Sequence, residues 1–122
     1  MALRIRSFLL FEAATFIVAS AIHAGRLIGG YEHREARIAE AVIAAVLVGG
    51  LIVARLRPMW TRATALLAQG FALFGTLVGL FTIAIGIGPR TAPDILYHIA
   101  IVAVLVWGLA VARQARVPQV CP

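Results

Sequence analysis

The chain has 122 residues, of which 62% are hydrophobic and 13% charged, with a mean hydropathy of +0.99. A soluble domain averages about 45–50% apolar and about 25% charged residues, so a water-soluble globular domain is excluded, and so is a disordered one, which needs low hydrophobicity. The net charge of +6 comes from 11 arginines and no lysine; these arginines flank apolar runs as membrane topology signals do, which sets nucleic-acid binding aside, and without a lysine amine no retinal or pyridoxal Schiff base can form.

At ~20 apolar residues per span, the length holds four transmembrane helices and little else. The first is expected over about 7–24. Arg4 and Arg6 precede it, and Ala19-Ser20-Ala21 fits the cleavage pattern of a leader peptide. However, Glu12 interrupts the apolar region, and the run from Ser7 to Gly25 is long enough to span. Gly29-Gly30 ends it. The second helix is expected over about 31–54, apolar from Ile38, and Arg57-Pro58 closes it. The third is expected over about 63–87, before Gly86-Ile87-Gly88-Pro89. The fourth is expected over about 94–112, with Pro93-Asp94 as its start signal. The apolar runs are continuous rather than alternating, which argues against a closed β-barrel. The expected fold is therefore an all-α integral membrane four-helix bundle in one domain over 1–122, running up-down-up-down. Cys121, the single cysteine, excludes an intramolecular disulfide, a CxxC pair and a Cys-ligated cluster, and reads as an inert tail residue.

The arginines also assign sides. Arg4, Arg6, Arg55, Arg57, Arg62, Arg113 and Arg116 fall on one side, and Arg26, Arg34, Arg37 and Arg90 on the other, with Glu32, Glu35 and Asp94. This bias places both termini in the cytoplasm of a bacterial-type inner membrane. A segment of helix two, Ala45 to Arg55, recurs as Ala103 to Arg113, with nine of eleven positions identical. Such a repeat would make the protein two tandem hairpins related by an axis along the membrane normal. Membrane helices reuse Ala, Val and Leu, so chance similarity is the competing explanation.

Depth follows from the ~1.5 Å rise per residue. Counted from the arginine at each cytoplasmic end, Glu12 and Gln69 lie ~9 and ~10 Å up. Glu40 and His98 lie ~22 Å up, and His23 ~25 Å up, in a hydrocarbon core of ~30 Å. Two polar layers result, one in the inner half and one near the outer face. An ionisable residue at a span centre costs roughly 2.5–3.5 kcal/mol on insertion scales, so such residues face the bundle interior and pair. Facing agrees: Glu12 and His23 are three turns apart on one face, and Asp94 and His98 are one turn apart.

Three chemistries fit the upper layer. His23, Glu40 and His98 form a candidate site for a transition-metal ion (Zn, Cu or Fe), since imidazole suits these metals and a carboxylate completes the set. Alternatively, His98 or His23 would be an axial ligand of a haem, with Gly75 and Gly79 admitting the macrocycle and Arg26 and Arg90 pairing with its propionates. The plainer reading is a Glu–His hydrogen-bonded pair that fixes helix register, with the Gly75/Gly79 stripe as a packing face. His33 falls at headgroup level and reads as a surface histidine.

A membrane-buried Glu12 in a four-span chain of this size resembles the small multidrug-resistance transporters. The resemblance covers size, span count and Glu12. It implies a first-helix glutamate that exchanges protons against cationic substrates. The aromatic and glycine motifs of that family's later helices are not found here. The competing reading is a Glu12–Gln69 hydrogen bond across the bundle. No Walker loop, nucleophile elbow, HExxH or Rossmann fingerprint occurs. The expected function is thus a small membrane metal- or haem-binding protein in redox, sensing or metal handling. A proton-coupled small-solute transporter using Glu12 and Glu40 is one alternative. The other is an accessory subunit of a larger membrane complex, and a homodimer fits so small a bundle.

Overall fold

The computed structural model describes residues 1–116, so Cys121 lies outside the described residues. All regular structure in them is helical: α1 (Ala2–His23), α2 (Arg34–Leu56), α3 (Thr61–Ala84) and α4 (Ala92–Gln114), with one 3-10 turn over Pro58–Trp60 before α3. All four helices are long and apolar enough to cross a membrane. At ~1.5 Å per residue they reach ~33–36 Å, a little more than a ~30 Å hydrocarbon core.

The helix starts depart most from the sequence expectation, and each shift has a local cause. The α1 helix runs back through Arg4 and Arg6 to Ala2, because nothing in Ala-Leu-Arg-Ile-Arg breaks a helix. The α2 helix begins at Arg34 because His33 is extended (φ −151, ψ 108) and caps it, its Nδ1 accepting the Ala36 N–H at 3.2 Å. The α4 helix begins at Ala92 under Thr91, whose side chain and that of Asp94 form a reciprocal capping box. The C-termini of α1 and α3 are built alike. Gly25 (φ +70) and Gly86 (φ +86) take the left-handed conformation that favours glycine. In α1 the Gly25 and Arg26 N–H groups return to Ile22 and Ala21 carbonyls; in α3 the Gly86 and Ile87 N–H groups return to Ile83 and Thr82. This is the Schellman arrangement, which satisfies carbonyls that a helix end otherwise leaves open.

Contacts between neighbours tie α1 to α2 at both ends. Arg6 Nη2, near the start of α1, donates to the Ala54 carbonyl near the end of α2 at 2.7 Å. At the other end Ser20 Oγ donates to the Arg37 carbonyl at 2.9 Å. Gly50 of α2 lies so close to Ala68 of α3 that a Cβ there would fall 2.8 Å from the alanine methyl. Gly79 and Gly108 make the corresponding close approaches between α3 and α4. The core between the helices is Leu9, Phe16, Leu47, Ala72 and Leu105. Packing is tight along α1–α2, α2–α3 and α3–α4, and loose between α1 and α4.

The outer surface is apolar. Leu67, Phe74, Phe81 and Trp107 are 75%, 68%, 63% and 62% exposed, and large apolar side chains are exposed on all four helices. Hydrocarbon is the solvent such a surface matches.

Candidate functional site: a carboxylate–imidazole–carboxylate chain

His23 is the last residue of α1, held there by the Schellman turn and by its own carbonyl, which accepts the His33 N–H at 3.0 Å. Its ring points into the bundle and is 4% exposed. Both ring nitrogens meet carboxylates, from two other helices. Nδ1 is 2.7 Å from Glu40 Oε2 of α2, and Nε2 is 3.0 Å from Asp94 Oδ1 of α4. Glu40 and Asp94 are buried as well. Three helices thus converge on one imidazole.

Asp94 serves two structures at once. Its Oδ2 accepts from the Thr91 hydroxyl and, at 3.3 Å, from the Thr91 N–H, closing the cap of α4. Its Oδ1 remains for His23. Glu40 has no such second use: Oε1 is buried without a hydrogen-bond partner. Carboxylates accept and do not donate. With both ionised, the two hydrogen bonds require a proton on each imidazole nitrogen, and the trio then carries one net negative charge. One further proton makes it neutral.

A cavity opens on either side of this chain. One, of about 480 Å³, lies between α1 and α4 and is lined by His23, Asp94, Tyr97 and the apolar residues Phe11, Val18 and Ala19. The other, of about 260 Å³, lies among α2, α3 and α4 and is lined by Glu40, His98, His33, Thr76 and Gly79. His23 and Asp94 touch the first and Glu40 the second. Phe16 and Tyr97, edge to face with centroids 6.2 Å apart, stand near the boundary.

The candidate residues from the sequence fall as follows. His23 and Glu40 meet. His98 is buried at their level, but its Nδ1 is engaged by the Asp94 carbonyl of its own helix at 2.7 Å. Its other edge faces α3, where a Cβ at Gly79 would lie 3.2 Å from Nε2. The second partner of His23 is Asp94, in place of His98. Among the described residues no group of three or more His, Cys, Asp or Glu side chains is arranged to hold a metal ion. At His23 the imidazole lies between the two carboxylates, one on each ring nitrogen. Gly75 and Gly79 allow close packing: a Cβ at Gly75 would meet Ile43 Cδ1 at 2.9 Å and one at Gly79 would lie 3.2 Å from His98 Nε2. Both glycines also line the cavity of about 260 Å³. Arg26 and Arg90 are exposed in the turns. His33 caps α2 through Nδ1, which leaves Nε2 as donor to the Ile87 carbonyl at 3.3 Å. It thereby ties the α1–α2 turn to the α3–α4 turn.

In the lower layer Glu12 and Gln69 are both fully buried, and Gln69 Nε2 donates to the two carboxyl oxygens at 3.0 and 3.1 Å. Gly108 of α4 covers this pair so closely that any Cβ would collide with it.

No protein-family model matches the chain, and no curated protein or solved structure matches it either.

Proposed function

We propose that this is a small integral membrane protein that passes protons through the Glu40–His23–Asp94 chain and couples that transfer to a solute held in the adjoining cavities. The single observation that supports it is the engagement of both nitrogens of one buried imidazole by carboxylates on different helices. A neutral imidazole accepts a proton at one nitrogen and releases another from the opposite one, which keeps its charge and exchanges its tautomer. Starting with Glu40 protonated, the ring neutral with its proton on Nε2 and Asp94 ionised, Nδ1 would take the proton from Glu40 Oε2 and Nε2 would pass one to Asp94 Oδ1. Asp94 then releases its proton to the adjoining cavity, Glu40 is reprotonated, and the next transfer follows once the ring has left the two carboxylates, exchanged its tautomer and returned. Glu40 Oε1 is the free acceptor at one end, and Asp94 borders the larger cavity at the other. In this reading both termini are cytoplasmic and the site lies in the outer half of an inner membrane. Glu12 serves as a packing lock with Gln69 and not as the proton carrier.

The test is proton flux into liposomes carrying the full chain and an enclosed pH-sensitive dye, driven by a potassium diffusion potential. Flux above protein-free liposomes is expected. His23→Gln, which keeps one hydrogen bond but cannot relay a proton, should lower it by at least about tenfold. Glu12→Gln should leave it unchanged. Wild-type flux no greater than that of empty liposomes, or full flux in His23→Gln, overturns the reading.

A metal-handling role is the second reading. What favours it is the unpartnered Glu40 Oε1 beside the cavity that His98 also lines. A Zn, Cu or Fe ion there would draw on Glu40 and His98, and His23 would stay with its carboxylates. This predicts stoichiometric metal in the purified protein that His98→Ala removes and His23→Gln retains. Metal-free wild-type protein after growth in metal-supplemented medium would end it.

A further inference from the structure

The smaller cavity, of about 260 Å³ among α2, α3 and α4, has a one-sided hydrogen-bonding wall. The side chains that line it have their own hydrogens engaged elsewhere. Thr76 and Thr82 donate through Oγ1 to the Ala72 and Gly79 carbonyls at 2.8 and 2.7 Å. His33 Nε2 donates to the Ile87 carbonyl at 3.3 Å. His98 Nδ1 is 2.7 Å from the Asp94 carbonyl, which only accepts. The hydrogen of the neutral ring is therefore on Nδ1, and Nε2 is left as a lone pair. Glu35 and Glu40 add carboxylates. What these side chains still offer is acceptors alone.

Two of the acceptors lie deep. His98 is 8% exposed and Glu40 is 5% exposed, and Glu40 Oε1 has no partner. Buried acceptors left without donors are costly, so a ligand that suits this wall brings several hydrogens. The charge points the same way. The Glu40–His23–Asp94 trio carries one net negative charge, and Glu35 stands where α2 begins, facing Ile87, Gly88 and Pro89 of the α3–α4 turn across the cavity. An anion is repelled there, and a single positive charge neutralises the trio as one further proton does. Size separates an organic cation from a metal ion. The cavity is several times the ~30 Å³ that one water takes, and Phe16, Ile43 and Val78 give it an apolar side. A primary ammonium group has three donors and no acceptor.

We propose that this cavity binds a small primary ammonium compound. Its ammonium group donates to His98 Nε2 and Thr82 Oγ1, both beside Gly79, next to the negative charge of Glu40. Its short hydrocarbon body lies against Phe16, Ile43 and Val78. This names the solute of the proton-coupled reading and rests on that reading for the coupling, in which the ammonium takes the place of the neutralising proton.

The test is isothermal titration of the detergent-solubilised full chain with butylamine at neutral pH, where the amine is protonated. Saturable heat is expected. Butyltrimethylammonium, which has the charge without an N–H, and 1-butanol, which has a donor without the charge, should give none over the same range. Glu40→Gln should weaken butylamine binding at least about tenfold, the effect of one lost charge-assisted contact. Ala39→Leu, at an exposed position on the cavity wall, fills the space and leaves every polar group in place. It should abolish saturation. Absence of saturable heat with butylamine overturns the proposal, as does equal binding of butyltrimethylammonium or unchanged affinity in Ala39→Leu. Saturable heat from zinc chloride with none from butylamine gives the cavity to a metal ion instead. The liposome assay separates the two readings: butylamine binding without proton flux overturns the proton chain and leaves this site standing, and flux without butylamine binding overturns this site alone.

Discussion

Gly108→Ala is expected to destabilise the bundle by about 3 kcal/mol, the upper range of overpacking. The added methyl would lie 2.3 Å from Gln69 Nε2 and 2.6 Å from Glu12 Oε1. Neither side chain is free to yield. Both are fully buried, and moving Gln69 breaks the bonds that satisfy the Glu12 carboxyl. The substitution therefore adds steric strain to an unpaired buried polar group. Gly70→Ala is the matched control, since a Cβ there meets nothing within 4 Å. It should be neutral or stabilise by up to about 1 kcal/mol through helix propensity. Denaturation by increasing SDS in mixed micelles measures both. In a Glu12→Ala, Gln69→Ala background, Gly108→Ala should cost less than half as much. An undiminished cost there would show that crowding of this pair is not the cause.

The second large effect is expected at His23. Removing one member of a buried charged network costs about 3–5 kcal/mol, because the partners are left unpaired in a medium of low dielectric. His23→Leu removes the ring from two carboxylates together. The triple variant His23→Leu, Glu40→Gln, Asp94→Asn should be more stable than the single one. No ionised group is then stranded, and an asparagine side chain at the start of α4 still supplies a capping oxygen. The same SDS titration decides. If the single and triple variants unfold at the same point, the loss is one of packing volume and not of charge pairing.

Much of this is legible in the residues. Length, hydropathy and turn chemistry lead directly to four spans. Depth counting from the arginines pairs Glu12 with Gln69, which do hydrogen-bond, and sets His23 beside Glu40, which do as well. The same counting places His98 at the right height but leaves its azimuth open. Asp94 and His98 share a face, one turn apart, and the turn nearer the helix start is the one that meets the end of α1. Thr91-Ala92-Pro93-Asp94 carries a capping signal, so Asp94 reads as a helix start and an outer-side charge. That a capping carboxylate keeps its second oxygen for another helix depends on tertiary packing, which no local pattern encodes. The Gly75/Gly79 stripe shows the same limit: small residues mark a close approach without saying what approaches. Here it is Ile43 and His98.

The double use of Asp94 bears on how the protein is made. The chain leaves the ribosome from its N-terminus, and helices insert before they pack. The α1–α2 hairpin can bring His23 to Glu40 early, but Nε2 waits for its partner until the final helix has been synthesised. The residue that then completes the trio is also the one that starts that helix. A polypeptide stalled before residue 91 would carry a half-satisfied imidazole within the lipid, a marker that quality-control proteases could use to tell unfinished copies from finished ones.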